Sequence, residues 1–189
     1  MYFRKFLISC LFLFPVLAYA DQEPRLFSNV PDKSQMTYHL VHKLHKVEGV
    51  AKKNILAKAK ITDAQAQVVV RVPVIEFDSN NKNRDQHMAE VTDAHHFPNV
   101  DLKGVIAMAV PKTFPADVKG TLRGQLAFHG VTHDTEVPVT LHFASAKEVH
   151  ATTTFPVSLD AYQVERPSLF LVKIDDRIDI DVDLTLTAE

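Results

Sequence analysis

The last 13 residues, RIDIDVDLTLTAE, constrain the fold more than any other stretch. Ile178, Ile180, Val182, Leu184 and Leu186 take every second position, with Asp179, Asp181, Asp183, Thr185 and Thr187 between them. Successive side chains of a strand leave opposite faces, so this pattern is a strand with one buried and one wet face. A helix would scatter the same residues around its axis. The alternation recurs along the chain. Ile55, Ala57, Ala59 and Ile61 alternate with Lys58 and Lys60, and Val68, Val70, Val72 and Val74 alternate with Arg71 and Pro73. Tyr38, Leu40, His42 and Leu44 share one parity, and Val149 to Val157 forms another candidate strand. GTLRGQLAFHGVTHDTEVPVTLHF reads as a hairpin. Leu122, Leu126 and Phe128 lie on one face of its first arm, and Val137, Val139, Leu141 and Phe143 on one face of the second. His129-Gly130-Val131-Thr132 supplies the turn, with Gly130 free to take positive φ. Only Asn83 to Thr92 reads as helical, and Pro98 ends it and lets a strand start at Asn99. About eight short strands predict an all-β sandwich or barrel, with one short helix covering an open end or a sheet edge.

The first twenty residues stand outside this pattern. MYFRKFLISCLFLFPVLAYA has a basic start at Arg4 and Lys5, an apolar run from Phe6 to Leu17, and small residues at Ala18 and Ala20. That is the grammar of a cleavable signal peptide, and the run is shorter than the ~20 residues needed to span a bilayer. The expectation is export, with residues 1–20 removed and residues 21–189 forming one domain. Removal takes two of the 21 bases and no acid, which leaves 19 against 23 and a formal charge of −4. A nucleic-acid binder usually shows a basic face, so no nucleic-acid partner is expected. The single cysteine, Cys10, lies inside the signal. Disulfides, thiolate metal sites and a cysteine nucleophile are thereby excluded from the mature chain, and an exported chain without disulfides fits a Gram-negative periplasm.

The residues able to do chemistry concentrate in NNKNRDQHMAEVTDAHHFPNV, residues 80 to 100. On a helix Arg84 and His87 share a face and Asp85 lies about 100° round from Arg84. The segment reads first as a lid that hydrogen-bonds loop carbonyls, and second as a place where Arg84 or His87 meets a polar head group, since the arginine fork suits phosphate. A metal site reads poorly. His95 and His96 are neighbours that point opposite ways in extended chain, and His39 and His45 share a face but sit about 20 Å apart. His129 and His133 flank the turn and form at best an adventitious zinc pair. Catalytic grammar is missing too. Ser158 and Asp160 are present but no G-x-S-x-G elbow is, and five glycines include no phosphate loop. Asp175-Asp176 reads as a solvated turn, and Asp179, Asp181 and Asp183 as a wet wall that resists edge pairing. No catalytic residue, metal or required cofactor is expected.

Two segments carry a family resemblance. Asn83-Arg84-Asp85-Gln86-His87-Met88, followed by His96-Phe97-Pro98, resembles the motif N-x-R-D-x-H-L with its trailing F/Y-P. Gly124-Gln125-Leu126-Ala127-Phe128-His129-Gly130-Val131-Thr132 resembles G-x-L-x-[IL]-H-G-V-T. Both belong to the YceI-like proteins, and the likeness runs from about Ser34 to the C-terminus. The chain departs from the family at Ser34-Gln35-Met36, where a histidine-serine pair is common, and at Val157 to Tyr162, where only Asp160 and an aromatic match. The resemblance implies an extended antiparallel, lipocalin-like barrel, periplasmic or secreted, that holds polyisoprenoids or isoprenoid quinones inside.

The expected protein is therefore all-β, an eight-stranded antiparallel lipocalin-like barrel covered by one short helix. It would act as a non-catalytic periplasmic carrier of a long apolar amphiphile. The expected ligand wall comprises Tyr38, Leu40, His42, Leu44, Val68, Val70 and Val72 from the first half of the chain. From the second half it takes Leu122, Leu126, Phe128, Val139, Leu141, Phe143, Phe155, Ile178, Ile180 and Val182. Arg84, Asp85, His87 and Met88 are the lid or head-group residues. His42 has two readings, a satisfied half-buried histidine or a donor to a quinone carbonyl, and Tyr38 and Tyr162 are further candidate donors. Two alternatives stay open: an interaction module whose core is filled by Phe128, Phe143 and Phe155, and an accessory protein acting on a bound quinone through His42. A transient inner-membrane partner and a homodimer are further options.

Overall fold

Alternating apolar residues build nearly the whole molecule, and the computed structural model describes residues 23–42, 45–166, 168–169 and 172–189. Nine long or medium strands follow one another: β1 (Arg25–His42), β2 (His45–Ala51), β3 (Leu56–Ile61), β4 (Gln65–Pro73), β5 (Asn99–Ala107), β6 (Ala116–Phe128), β7 (Val131–Ser145), β8 (Glu148–Ser158) and, after the two-residue strands β9 (Ser168–Leu169) and β10 (Val172–Lys173), β11 (Arg177–Ala188). A 3₁₀ turn at Val74–Glu76 and one helix, α1 (Lys82–Val91), separate β4 from β5. Val74, expected as part of a strand, thus belongs to the turn that leaves it. Among the described residues no helix is long and apolar enough to cross a membrane.

The sheet order is β11-β8-β7-β6-β5-β4-β3-β1, and β11 pairs back onto β1 from Phe27↔Ala188 to Leu40↔Ile178. That closes an eight-stranded antiparallel barrel and removes its edges. The long β1 uses its other side twice. Residues 25–28 pair with β3, and residues 36–42 pair with β2, the extra strand. The register slips between Asn29 and Ser34, where β1 passes from one neighbour to the other. Val50 and Asp78 exchange both backbone hydrogen bonds, so the outer edge of β2 is pinned to the segment after the 3₁₀ turn.

The β6–β7 hairpin turns on two residues, His129 (φ 49°) and Gly130 (φ 75°). Positive φ at both centres is the turn whose twist suits a right-handed hairpin, and Gly130 pays no Cβ penalty there. A Cβ at Gly130 would also stand 2.6 Å from the Phe97 ring.

The two ends of the barrel differ. At the end holding the β3–β4, β5–β6 and β7–β8 turns, large side chains meet on the axis. Phe27, Ile106, Leu122, Val137, Phe143 and Leu184 are all buried there. At the other end, beneath α1 and the loop from Leu159 to Asp176, the inward side chains surround open space.

Candidate functional site

That space is a cavity of about 580 Å³. Its wall is made by the parity the sequence displays. Met36, Tyr38 and Leu40 face it from β1, Val70 and Val72 from β4, Val100 and Leu102 from β5, and Leu126 and Phe128 from β6. Phe155 and Val157 come from β8, and Ile178 and Ile180 from β11. Val47 from β2 and the loop residues Val74, Phe77, Leu159, Val164 and Ile174 complete it. The polar atoms enter at one side, where α1 brings Asn81, Asn83, Arg84, His87 and Thr92 beside Met88 and Val91.

Of the expected wall residues, Tyr38, Leu40, Val70, Val72, Leu126, Phe128, Phe155, Ile178 and Ile180 line the cavity. Leu122, Leu141, Phe143 and Val182 do not. They are buried in side-chain packing nearer the filled end, and Val68 and Val139 sit half-buried against that packing. Alternation fixes which face a residue takes but not its height along the barrel axis. Leu44 and the side chain of His42 lie outside the described residues. Met36, Val100 and Leu102 extend visible period-two runs. Phe77, Val164 and Ile174 come from irregular segments that no period marks.

The lid is built by its own motif. Asn81 caps α1 by accepting from the Arg84 backbone N–H at 3.2 Å, a role that suits asparagine. The Arg84 guanidinium donates to Ser79 Oγ at 2.8 Å and to the Ser79 carbonyl at 2.6 Å. Asp85 accepts from the Ser79 backbone N–H at 3.0 Å and from its hydroxyl. Arg84 and Asp85 therefore clamp the loop before the helix, and Arg84 also borders the cavity. Asp85 does not reach the cavity. His87 stands at the mouth, exposed, 3.6 Å from Glu90.

Tyr38 links this polar cluster to the apolar wall. Its ring lies over Gly49 of β2, where an added Cβ would stand 2.2 Å from the ring, and packs on Phe77 with centroids 5.6 Å apart. Burial pushes the Tyr38 hydroxyl above its ordinary pKa; the Asp85 charge adds to the rise, and Arg84 and Ser79 oppose it. The hydroxyl thus stays a neutral donor beside the lid. Tyr162 plays another part. Its hydroxyl donates to the Leu126 carbonyl at 3.3 Å, its own pKa raised by burial, and it does not line the cavity.

The turn of the second motif is scaffold, while its Leu126 and Phe128 line the cavity. His129 Nδ1 bonds the Tyr162 carbonyl at 2.9 Å and His133 Nε2 the Ala161 carbonyl at 2.9 Å, so the hairpin holds the loop after β8. Phe97, from the tail of the first motif, meets the His129 ring edge-on with centroids 5.5 Å apart. The two motifs touch around the hollow end. Asp176 serves the same loop: it accepts from Ser158 Oγ at 2.8 Å and from the Asp160 N–H at 2.7 Å. These bonds, the backbone one first, hold its carboxyl below the usual range. It is a structural acceptor rather than the merely solvated turn residue expected. On the outer wall His39 pairs with Asp181 at 2.7 Å and His150 lies against Asp183. Among the described residues no three His, Cys, Asp or Glu side chains are placed to hold a metal ion.

A closed antiparallel barrel with an apolar hollow at one end is the lipocalin-like class of fold. The YceI-like domain model matches residues 27–186, and the chain belongs to that family. Among solved structures it resembles BcnA of Burkholderia cenocepacia, with TM-score 0.68 and 21% identity over 83% of this chain and 98% of that one. It resembles equally a polyisoprenoid binding domain from Saccharophagus degradans, with TM-score 0.68 and 12% identity over 86% and 98%. A Campylobacter jejuni YceI protein follows at TM-score 0.54 and 14% identity over 72% and 82%. These likenesses establish the fold. No curated protein sequence matches the chain.

Proposed function

We propose that the protein is a periplasmic carrier that holds an isoprenoid-type amphiphile (a polyprenyl, an isoprenoid quinone or a similar lipid) in the hollow end of its barrel and performs no chemistry on it. The cavity carries this reading. Its wall is apolar nearly throughout, while its polar groups gather at the Arg84–His87 side, so a tail would lie inside and a head beside the lid. The Saccharophagus relative, described as a polyisoprenoid binding domain, supports the ligand class. Each buried CH₂ of a tail would contribute about 0.8 kcal/mol. Tyr38, Arg84 and His87 are the groups offered to a head, and the wall residues from Leu40 to Ile180 named above take the tail.

The filled end closes the hollow on one side, so a tail longer than the cavity of about 580 Å³ would leave through the mouth. Mass spectrometry of the organic extract from protein purified out of a native periplasm, against a heat-denatured control, tests the reading. A stoichiometric prenyl lipid supports it. Protein that is empty and takes up no prenol of any length refutes it and favours an interaction module.

A further inference from the structure

The exposed large apolar side chains of the described residues are unevenly placed. Four of them, Leu26, Leu56, Val69 and Val105, stand on the outer face of one wall, formed by the start of β1 with β3, β4 and β5. None stands on the outer face of β7, β8 or β11. Cross-strand pairing sets these residues among cations. One rung reads Leu26–Lys60–Gln67–Val105–Arg123, and the next reads Lys58–Val69–Lys103. Lys60 and Lys103 have no acidic partner among the described residues, while Lys58 pairs with Glu189, Arg71 with Asp101 and Arg123 with Glu136. The opposite wall carries Asp179, Asp181 and Asp183 with His39 and His150.

The face continues to the cavity. Val74 lines the hollow, and the next residue, Ile75, is 69% exposed at its rim. The β2–β3 turn, with the exposed Lys52 and Lys53, is tied to that rim by Asn54 donating to Glu76 at 2.7 Å. We propose that this outer wall, from Leu26 up to Ile75, docks on an anionic lipid surface and holds the mouth of the barrel against it. Interleaved aliphatic and ammonium groups suit the head-group zone, where apolar side chains enter and lysines meet lipid phosphates. A second copy fits less well. Two such faces would set lysine against lysine, and the acidic wall carries no exposed large aliphatic side chain to cover Leu26, Val69 and Val105. The proposal stands whether or not the cavity holds a prenyl chain.

The test is co-sedimentation of the protein, processed as the periplasm leaves it, with vesicles of phosphatidylcholine alone or mixed with phosphatidylglycerol. Binding to the mixed vesicles that falls with salt is expected, with little to the neutral ones. K60Q with K103Q should weaken partition about 25-fold, from ~1 kcal/mol for each of two charges near the surface. V69S with V105S should weaken binding that persists at high salt. K119E makes the same change of charge on the far side of the barrel, beside Asp181 and Asp183, and should leave binding unchanged. All five positions are exposed, and a thermal melt verifies folding. Equal loss in K119E and in K60Q with K103Q, equal binding to neutral vesicles, or a dimer that K60Q with K103Q dissolves would each overturn the proposal.

Discussion

Two phenylalanines separate the filled end of the barrel from the hollow one. Phe143 is 1% exposed, paired across the sheet with Ala116 and Val149, and packed on all sides. Phe155 is 5% exposed but borders the cavity. Phe143→Ala removes the transfer energy of a ring and leaves a new void, a cost of about 3–5 kcal/mol. At roughly 2–4 °C per kcal/mol for a chain of this length, the melting temperature should fall by about 6–20 °C. Phe155→Ala forfeits the transfer energy, about 1.5–3 kcal/mol, but little cavity energy, because the space beside it is already open. It should melt several degrees above Phe143→Ala in ligand-free protein. Binding should order them the other way. Phe155→Ala removes part of the cavity wall and, on the proposed function, should weaken uptake of a C20 prenol about tenfold, near 1.4 kcal/mol, while Phe143→Ala leaves it unchanged. Urea unfolding and a prenol titration measure both quantities. Equal destabilisation together with equal loss of binding would refute the division of the barrel into a packed and an open half.

Other perturbations address the lid, the loop and the turn. Asp85→Ala strips the Ser79 N–H and hydroxyl of their acceptor and should cost about 1–3 kcal/mol; hydrogen exchange should quicken at residues 79–85, and a uniform change across the barrel would argue against a local clamp. Asp176 has a folded pKa below its unfolded one, so its stabilisation is present above the unfolded value, near 4, and disappears as the pH falls through the folded value. Asp176→Asn should therefore melt lower than the parent at pH 7 and converge with it on acidification; a constant gap down to acid pH would contradict the assignment. Gly130→Ala must accept φ near 75° against the Phe97 ring and should cost more than 1 kcal/mol, read as an earlier urea midpoint.

The barrel was legible because each wall strand faces two environments. Burial then forces a period of two, and residues such as Ile178 and Ile180 declare their inward parity without help. Their height along the axis was not legible. Phe143 and Phe155 share the same grammar, yet one plugs the barrel and the other lines a hollow, because that choice depends on what the far wall places opposite. The loop contributions were hidden for a different reason. Ile174 and Val164 reach the cavity on irregular backbone held by Asp176, His129 and His133, and no local pattern encodes contacts so distant in sequence. The two histidines read as an exposed turn, at best an adventitious zinc pair, and what they hold is a pair of loop carbonyls.

This scaffolding explains how an open end survives in a marginally stable protein. Apolar side chains around a hollow gain contacts by closing in, at about 24 cal/mol for each Å³ of enclosed void removed. The polar bonds of the two motifs oppose that collapse. The Arg84–Asp85 clamp on Ser79, and the His129 and His133 bonds to the loop after β8, hold the rim at fixed spacing without filling the interior. It follows that cargo should stabilise strongly. With ligand at 100 times its dissociation constant, mass action adds about 2.7 kcal/mol, or roughly 5–11 °C in melting temperature. Delipidated protein titrated with a C20 prenol should show this rise. His129→Ala with His133→Ala should reduce the gain, because a rim free to close in must be reopened before the tail enters. An undiminished gain in that double variant would mean that the barrel wall alone keeps the cavity open.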